Sequence, residues 1–198
     1  MSELSDRLVA SELRAGLEGC RIGNEIVVVE ETGSTNDLAW EAADRGALEG
    51  FVVFAERQTK GRGQYGRNWE SAPYQGLWLS VLLRPALTLR ESPRLTSLLA
   101  EVIASTTTEQ TGCRATIKSP NDIYVSGRKV AGVLVEGRTT SDGNYLAVAG
   151  IGINVNQTID DFSEELRATA GSLAMVTGSK IARMKLAIAL LRNLEKRI

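Results

Sequence analysis

The sequence predicts an α+β fold, a mixed and mainly antiparallel sheet with helices packed largely on one face. Three observations support this. Residues 77–83, Leu77-Trp78-Leu79-Ser80-Val81-Leu82-Leu83, are apolar on both faces except at Ser80, as in a strand inside a sheet. A valine-rich stretch at 129–136 is joined to a second one at 145–153 across an Asp142-Gly143 turn, the pattern of a hairpin. Between the strand-like runs lie segments with apolar residues at helical spacing, such as Leu95, Leu98, Leu99, Val102 and Ile103. The 198 residues suffice for one domain with a substantial core, and no repeat or low-complexity linker divides them.

Leu4, Leu8, Leu13 and Leu17 predict an amphipathic helix that opens the chain and stops near Gly19. Residues 26–30 are β-branched and strand-like. Ser34 or Thr35 then caps a helix carrying Leu38, Ala39, Ala42 and Ala43 on one face, with Asp37 favouring its first turn and Gly46 its end. Residues 51–55 form the strand that delivers a Gly/Arg loop, and 77–83 receives the chain afterwards. Ser92-Pro93 predicts a helix with serine as cap, running to about Thr111 before Gly112. Short strands at 115–117 and 123–125, with a Ser126-Gly127 turn, lead into the 129–136 strand. There Lys129 would share a face with Ala131, Val133 and Val135. A short helix follows around 163–168. Ser179 then caps a last helix with Ile181, Met184, Leu186, Ile188, Leu190 and Leu191.

Composition narrows the function. Hydrophobic content of 43 % and charged content of 24 % are those of a soluble globular protein, and a net charge of −1 argues against broad attraction to nucleic acid or anionic membrane. No basic leader precedes an apolar stretch and no apolar run approaches the roughly 20 residues of a membrane span, so the expectation is a cytoplasmic protein. Cys20 and Cys113 lie far apart, and the chain contains no histidine. They read as reduced, structural or incidental thiols. Ser-His-Asp, Cys-His and His-ligated metal chemistry are excluded, which leaves Lys, Arg, Asp, Glu, Asn and backbone groups to carry any reaction.

Three glycine-bearing stretches concentrate those groups. Residues 58–70 read Gln58-Thr59-Lys60-Gly61-Arg62-Gly63-Gln64-Tyr65-Gly66-Arg67-Asn68-Trp69-Glu70, a flexible loop with forked and point cations suited to an anion. Lys118-Ser119-Pro120-Asn121-Asp122 runs on to Lys129-Val130-Ala131-Gly132-Val133-Leu134-Val135-Glu136, and Gly150-Ile151-Gly152-Ile153-Asn154-Val155-Asn156 ends a strand. Each sets polar groups and glycine where an apolar strand starts or ends, so the three can meet at one end of a sheet.

Together with Ser34-Thr35-Asn36, these stretches resemble, in order and over roughly residues 8–195, the catalytic domain of biotin protein ligases in the biotin/lipoate ligase superfamily, a fold akin to class II aminoacyl-tRNA synthetases. The resemblance implies one catalytic domain over residues 1–198, without the N-terminal helix-turn-helix or the small C-terminal β domain of many relatives. The first difference argues against a DNA-binding repressor role. The second bears on closure over ATP and docking of the carrier. What the resemblance implies chemically is ATP- and Mg²⁺-dependent formation of biotinyl-5′-AMP, then transfer of biotin to a lysine of a biotin carboxyl carrier protein or domain. No enzyme nucleophile is needed, no nucleic acid or membrane partner is expected, and homodimerisation through a sheet edge is a known family property.

On matching positions, Ser34, Thr35, Asn36, Gln58, Gly61, Gly132 and Leu134 would bind biotin. Arg62 and Lys129 would serve both biotin and the adenylate, while Gln64, Arg67, Trp69, Asn121 and Asn154 would bind ATP or adenylate. Lys118 and Asp122 would join Arg62 and Lys129 in catalysis, with no metal bound directly by the protein and Asp122 holding Mg²⁺ indirectly or orienting the incoming lysine. Trp69 reads equally as a packing anchor and as a wall of the site. Gln64 stands where many ligases have arginine, and Ser119 where they have an aromatic residue; the first departure removes a charge that would retain the adenylate. A lipoate or octanoate ligase and a non-catalytic biotin-binding sensor are the alternatives.

Overall fold

In the computed structural model, which describes residues 6–198, the chain forms seven strands and six α-helices in the order α1 (Ala10–Ala15), β1 (Ile26–Thr32), α2 (Thr35–Asp44), β2 (Val52–Gln58), β3 (Gly76–Leu83), α3 (Ser92–Thr111), β4 (Ala115–Lys118), β5 (Asp122–Val125), β6 (Arg128–Thr139), β7 (Tyr145–Asn154), α4 (Glu164–Arg167), α5 (Leu173–Thr177) and α6 (Arg183–Glu195). The strands make one sheet in the order β1-β2-β3-β7-β6-β5-β4. Only β1 and β2, bridged by α2, run parallel; the other neighbours are antiparallel. All eight residues of β3 are buried, as its doubly apolar sequence requires.

Alternation of side chains along the strands splits the interior in two. Leu77, Leu79, Val81 and Leu83 of β3, with Ala147, Ala149, Ile151 and Ile153 of β7, face one large core closed by Leu13 of α1, by Leu95, Leu99, Val102 and Ile103 of α3, and by Leu186, Leu190 and Leu194 of α6. The opposite face is covered only in part. There Val53, Leu82, Leu146 and Val148 pack against Ala39 and Ala42 of α2. The functional site occupies the stretch of that second face which α2 leaves open. Among the described residues no helix is long and apolar enough to cross a membrane.

Several elements differ from expectation. The opening helix is only Ala10–Ala15; Leu8 and Leu17 are buried just outside it, and Leu4 lies outside the described residues. Its end is fixed by packing, since a Cβ at Gly16 would stand 2.4 Å from Ile188 of α6. Ser92 is the first residue of α3 and not its cap, because Thr88 and Glu91 close a preceding 3₁₀ turn through a reciprocal capping box. Gly112 ends α3 at φ 71°, as its position predicts. The final helix starts at Arg183 and not beside Ser179, and α5, absent from the sequence reading, is capped by Ser172 accepting from Met175 N–H at 3.1 Å.

The start of α6 is set by a buried ion pair. Arg183 is fully buried, 2.7 Å from Glu56 of β2, and donates to the Gly76 carbonyl of β3 at 2.9 Å. Glu56 also accepts from Leu8 N–H at 2.8 Å, so one carboxylate ties the N-terminal segment to the sheet. Arg183→Met strands that carboxylate in the core and is expected to lower stability by about 3–5 kcal/mol in urea unfolding. In the double variant Arg183→Met/Glu56→Met, much of the loss returns.

Candidate active site

The floor of the site is made by absent side chains. Gly132 of β6 and Gly152 of β7 are paired across the sheet, and Gly150 of β7 pairs with Leu134. The Trp69 indole lies on the first two: a Cβ at Gly152 would meet it at 2.5 Å, and one at Gly132 at 2.9 Å. At Gly150 a Cβ would stand 2.4 Å from Asn36 Oδ1. Trp69 also meets Trp78 edge-on, 6.2 Å between ring centres, so it both anchors the Gly/Arg loop and walls the site.

At the α2 end the cavity is polar. Ser34 occupies the cap position, yet its hydroxyl makes no capping bond, contrary to the sequence expectation. Thr35 is drawn elsewhere too, its N–H and hydroxyl both donating to Gln58 Oε1, at 2.8 and 3.0 Å. Beneath them the Ser80 hydroxyl donates to Asn36 Oδ1 at 2.6 Å and lies 2.7 Å from Thr35 Oγ1. Ser34, Thr35 and Asn36 are all buried, and Asn36 Nδ2 has no protein partner. A buried donor without an acceptor is unfavourable by about 1–3 kcal/mol, which a ligand carbonyl would relieve.

Lys129 reaches the site through a backbone irregularity. Ile123 pairs with Ala131 but Tyr124 pairs with Lys129, so Val130 is an extra residue in β6. Val130 and Ala131 both enter the large core. The bulge therefore turns Lys129 away from the face of Ala131, Val133 and Val135, where strict alternation had put it, and onto that of Gly132 and Leu134. Its ammonium stands 2.6 Å from Asp122 Oδ1 and 5.4 Å from the centre of the Trp69 ring.

The Gly/Arg loop folds on itself. Trp69 N–H donates to Gly61 O at 2.9 Å, Gly63 N–H to Arg67 O at 2.7 Å, and a 3₁₀ turn at Gln64–Gly66 holds Tyr65 at φ 58° with its ring 90 % exposed. These amides close the loop and do not point at an anion. Arg62 makes two hydrogen bonds to Asp37, at 3.0 and 2.7 Å, and a third to Glu136 at 3.3 Å. The bond to Asp37, with the charge of Glu136, outweighs desolvation and raises the Arg62 pKa above its ordinary value.

One cavity of about 570 Å³ gathers Ser34, Thr35, Asn36, Gln58, Arg62, Gln64, Arg67, Trp69, Lys118, Asn121, Asp122, Lys129, Gly132, Leu134 and Asn154. Of the residues singled out in the sequence, only Gly61 faces a neighbouring hollow instead. Lys118 lies over the Tyr124 ring, 5.9 Å from its centre. Asn121 and Asn154 serve the walls: Asn121 Nδ2 donates to Val133 O, and Asn154 donates to Gly171 O while accepting from Gln157, each at 3.1 Å. Sequence reasoning missed Phe162, Leu166, Thr169 and Ala170 on the far wall, which no motif marks. It also missed Ser80, whose signal was present as the single polar residue of an apolar strand. Among the described residues no group of three or more His, Cys, Asp or Glu is placed to hold a metal ion.

A family model described as the Biotin/lipoate A/B protein ligase family matches residues 28–156, which include the helix cap, the Gly/Arg loop and both glycine-bearing strands. The chain belongs to this family. It is 39 % identical over 191 residues to the bifunctional ligase/repressor BirA of Bacillus spizizenii, an alignment covering 96 % of this chain and 59 % of that protein. With the biotin–acetyl-CoA-carboxylase ligase of Mycobacterium tuberculosis it shares 34 % identity over 205 residues, 98 % of this chain and 71 % of the relative. The biotin protein ligase from Aquifex aeolicus, solved in complex with biotin and ATP, superposes with a TM-score of 0.74 at 31 % identity over 88 % of this chain and 70 % of that one. The chain thus spans 59 % of the length of the Bacillus ligase.

The glycine floor makes a prediction for this ligase fold that needs no ligand. Gly152→Ala forces the Trp69 indole off the sheet, so tryptophan emission should shift to the red and acrylamide quenching increase, with secondary structure retained. An unchanged spectrum would show that the indole does not rest there.

Proposed function

We propose that this chain activates biotin with ATP as biotinyl-5′-AMP and transfers the biotinyl group to a lysine of a biotin carboxyl carrier domain. The observation that carries this reading is that Arg62 and Lys129, on separate elements, line one cavity together with the buried Ser34, Thr35 and Asn36 and the half-buried Gln58. A ureido group offers an acceptor and donors to that set. A dithiolane ring or an octanoyl end has no N–H or carbonyl to answer it, which supports biotin over lipoate or octanoate. Leu134 and Trp69 line the same cavity.

In the first step a biotin carboxylate oxygen bonds to the α-phosphorus of ATP, and the bond to the bridging oxygen breaks to release pyrophosphate. Two anions must approach each other, so Arg62 and Lys129 offset their repulsion and follow the charge on the phosphoryl oxygens. Asp122 pairs with the Lys129 ammonium at 2.6 Å and orients it, while Arg67, Gln64 and Lys118 face the nucleotide end and Asn121 and Asn154 shape its walls. Mg²⁺ would arrive on the ATP phosphates, neutralising charge there, with Asp122 and Glu70 the carboxylates lining the cavity; such a mode needs no cage of protein ligands. In the second step the neutral amine of the acceptor lysine attacks the acyl carbon, AMP leaves, and the amine proton is lost as the amide forms. A need for ATP and for a carboxylase carrier supports a cytoplasmic location for this work.

Arg62→Ala and Lys129→Ala are each expected to lower biotin-dependent pyrophosphate release by about 10²-fold or more, the loss of a few kcal/mol of charge stabilisation. A variant that keeps the parent rate loses its assigned role. Ser34→Ala should weaken biotin binding more than ATP binding by calorimetry, and the reverse order would put the serine elsewhere.

A further inference from the structure

Helix α2 carries Asp37, Trp40 and Asp44 at spacings of three and four, so they line one side of the helix. Strand β6 carries Glu136 and Arg138 two apart, on the same side of the sheet. The two rows interlock. Trp40 Nε1 donates to Glu136 Oε2 at 3.0 Å, while Glu136 Oε1 accepts from Arg62 at 3.3 Å. Arg138 stacks on Trp40, 4.6 Å from the ring centre, and pairs with Asp44. Both oxygens of Glu136 are thus engaged, one by a fixed indole and one by the loop arginine.

We propose that Glu136, held by the Trp40 indole, is a positioning residue that fixes the Arg62 guanidinium for the adenylation step; this rests on the ligase reading given above. The geometry explains why a second carboxylate is needed. Asp37 holds Arg62 through two parallel bonds that orient one edge of the guanidinium. The Glu136 bond adds a third anchor from a different element, strand β6, so the head group is held from two directions. Both Nη2 hydrogens and one Nη1 hydrogen are then committed to carboxylates, which leaves the Nε–H and the outer Nη1–H, on opposite edges of the guanidinium, as its uncommitted donors.

Two carboxylates around one guanidinium also lower the local positive potential. Glu136 therefore costs ground-state attraction for the anionic substrate and gains placement in the transition state. That opposition distinguishes positioning from general support. Removing a structural prop lowers stability, whereas removing this contact should lower kcat with little or no rise in the KM for biotin.

The test compares Glu136→Gln, Glu136→Asp and Trp40→Phe in biotin-dependent pyrophosphate release. Each should lower kcat, by about tenfold for Glu136→Gln and Trp40→Phe, with the KM for biotin within about twofold of the parent. Glu136→Asp, which keeps the charge but draws it back by one methylene, should fall between. In an Arg62→Ala background all three should become silent. Phenylglyoxal modification of Arg62, followed by mass spectrometry of the peptide, reads the same contact without turnover and should accelerate several-fold in each variant. Parent kcat in the single variants, losses that persist undiminished in Arg62→Ala, or unchanged modification rates would each overturn the proposal. If Arg62→Ala itself matches the parent rate, it is the ligase role of Arg62 that fails, and the modification rates still decide whether Glu136 and Trp40 hold it.

Discussion

The site depends on the approach of an indole to a bare stretch of backbone. Gly132 and Gly152 face each other on adjacent strands, and Trp69 rests where their side chains would be. One contact does two jobs. It secures the far end of the Gly/Arg loop against the sheet, and it divides the open face into a polar end under α2 and a cationic end near Asp122 and Lys129. Because packed interiors resist even a single added methyl, this division cannot drift by small substitutions of either glycine.

Charge in the cavity is paired before any substrate arrives. Arg62 is held by Asp37 and Glu136, and Lys129 by Asp122. These carboxylates hold the cations in fixed directions, in the manner of preorganised electrostatics rather than of raw positive potential. Lys118 and Arg67 line the same cavity, and neither has an ion-pair partner among the described residues. On the proposed ligase reading they are the cations left to attract an incoming polyphosphate. Gln64 lines the same cavity and adds no charge to it.

Much of this was legible in the sequence, for identifiable reasons. β3 announced itself by unbroken apolarity, α3 by its proline and its closing glycine, and the β6–β7 hairpin by Asp142-Gly143. Glycine and cations clustered in short motifs marked the stretches that meet at the cavity, whereas the residues named within them came from the family resemblance. What escaped was set by contacts between distant segments. Lys129 changed faces because a bulge opposite Ile123 and Tyr124 adds one residue, which alternation along a single strand cannot reveal. Ser34 holds the cap position without a capping bond, and Thr35 beside it is bonded to Gln58, a partner on β2 that the local pattern does not show. Ser179 gave way to Arg183 as the start of α6 because a buried carboxylate on β2 fixes where that helix begins. Asp37 was read as a favourable first-turn charge, and its pairing with Arg62 appears only once loop and helix are brought together.

The account holds that the two cations serve one pair of reacting acids in one enclosed space. Its most direct test is to incubate the protein with biotin, ATP and Mg²⁺, remove unbound small molecules rapidly, and identify by mass spectrometry what stays behind. Retained biotinyl-5′-AMP, replaced by unreacted biotin when Lys129 is changed to alanine, is the predicted result. Biotin retained unreacted by the parent protein, with no adenylate and no pyrophosphate formed, would contradict it.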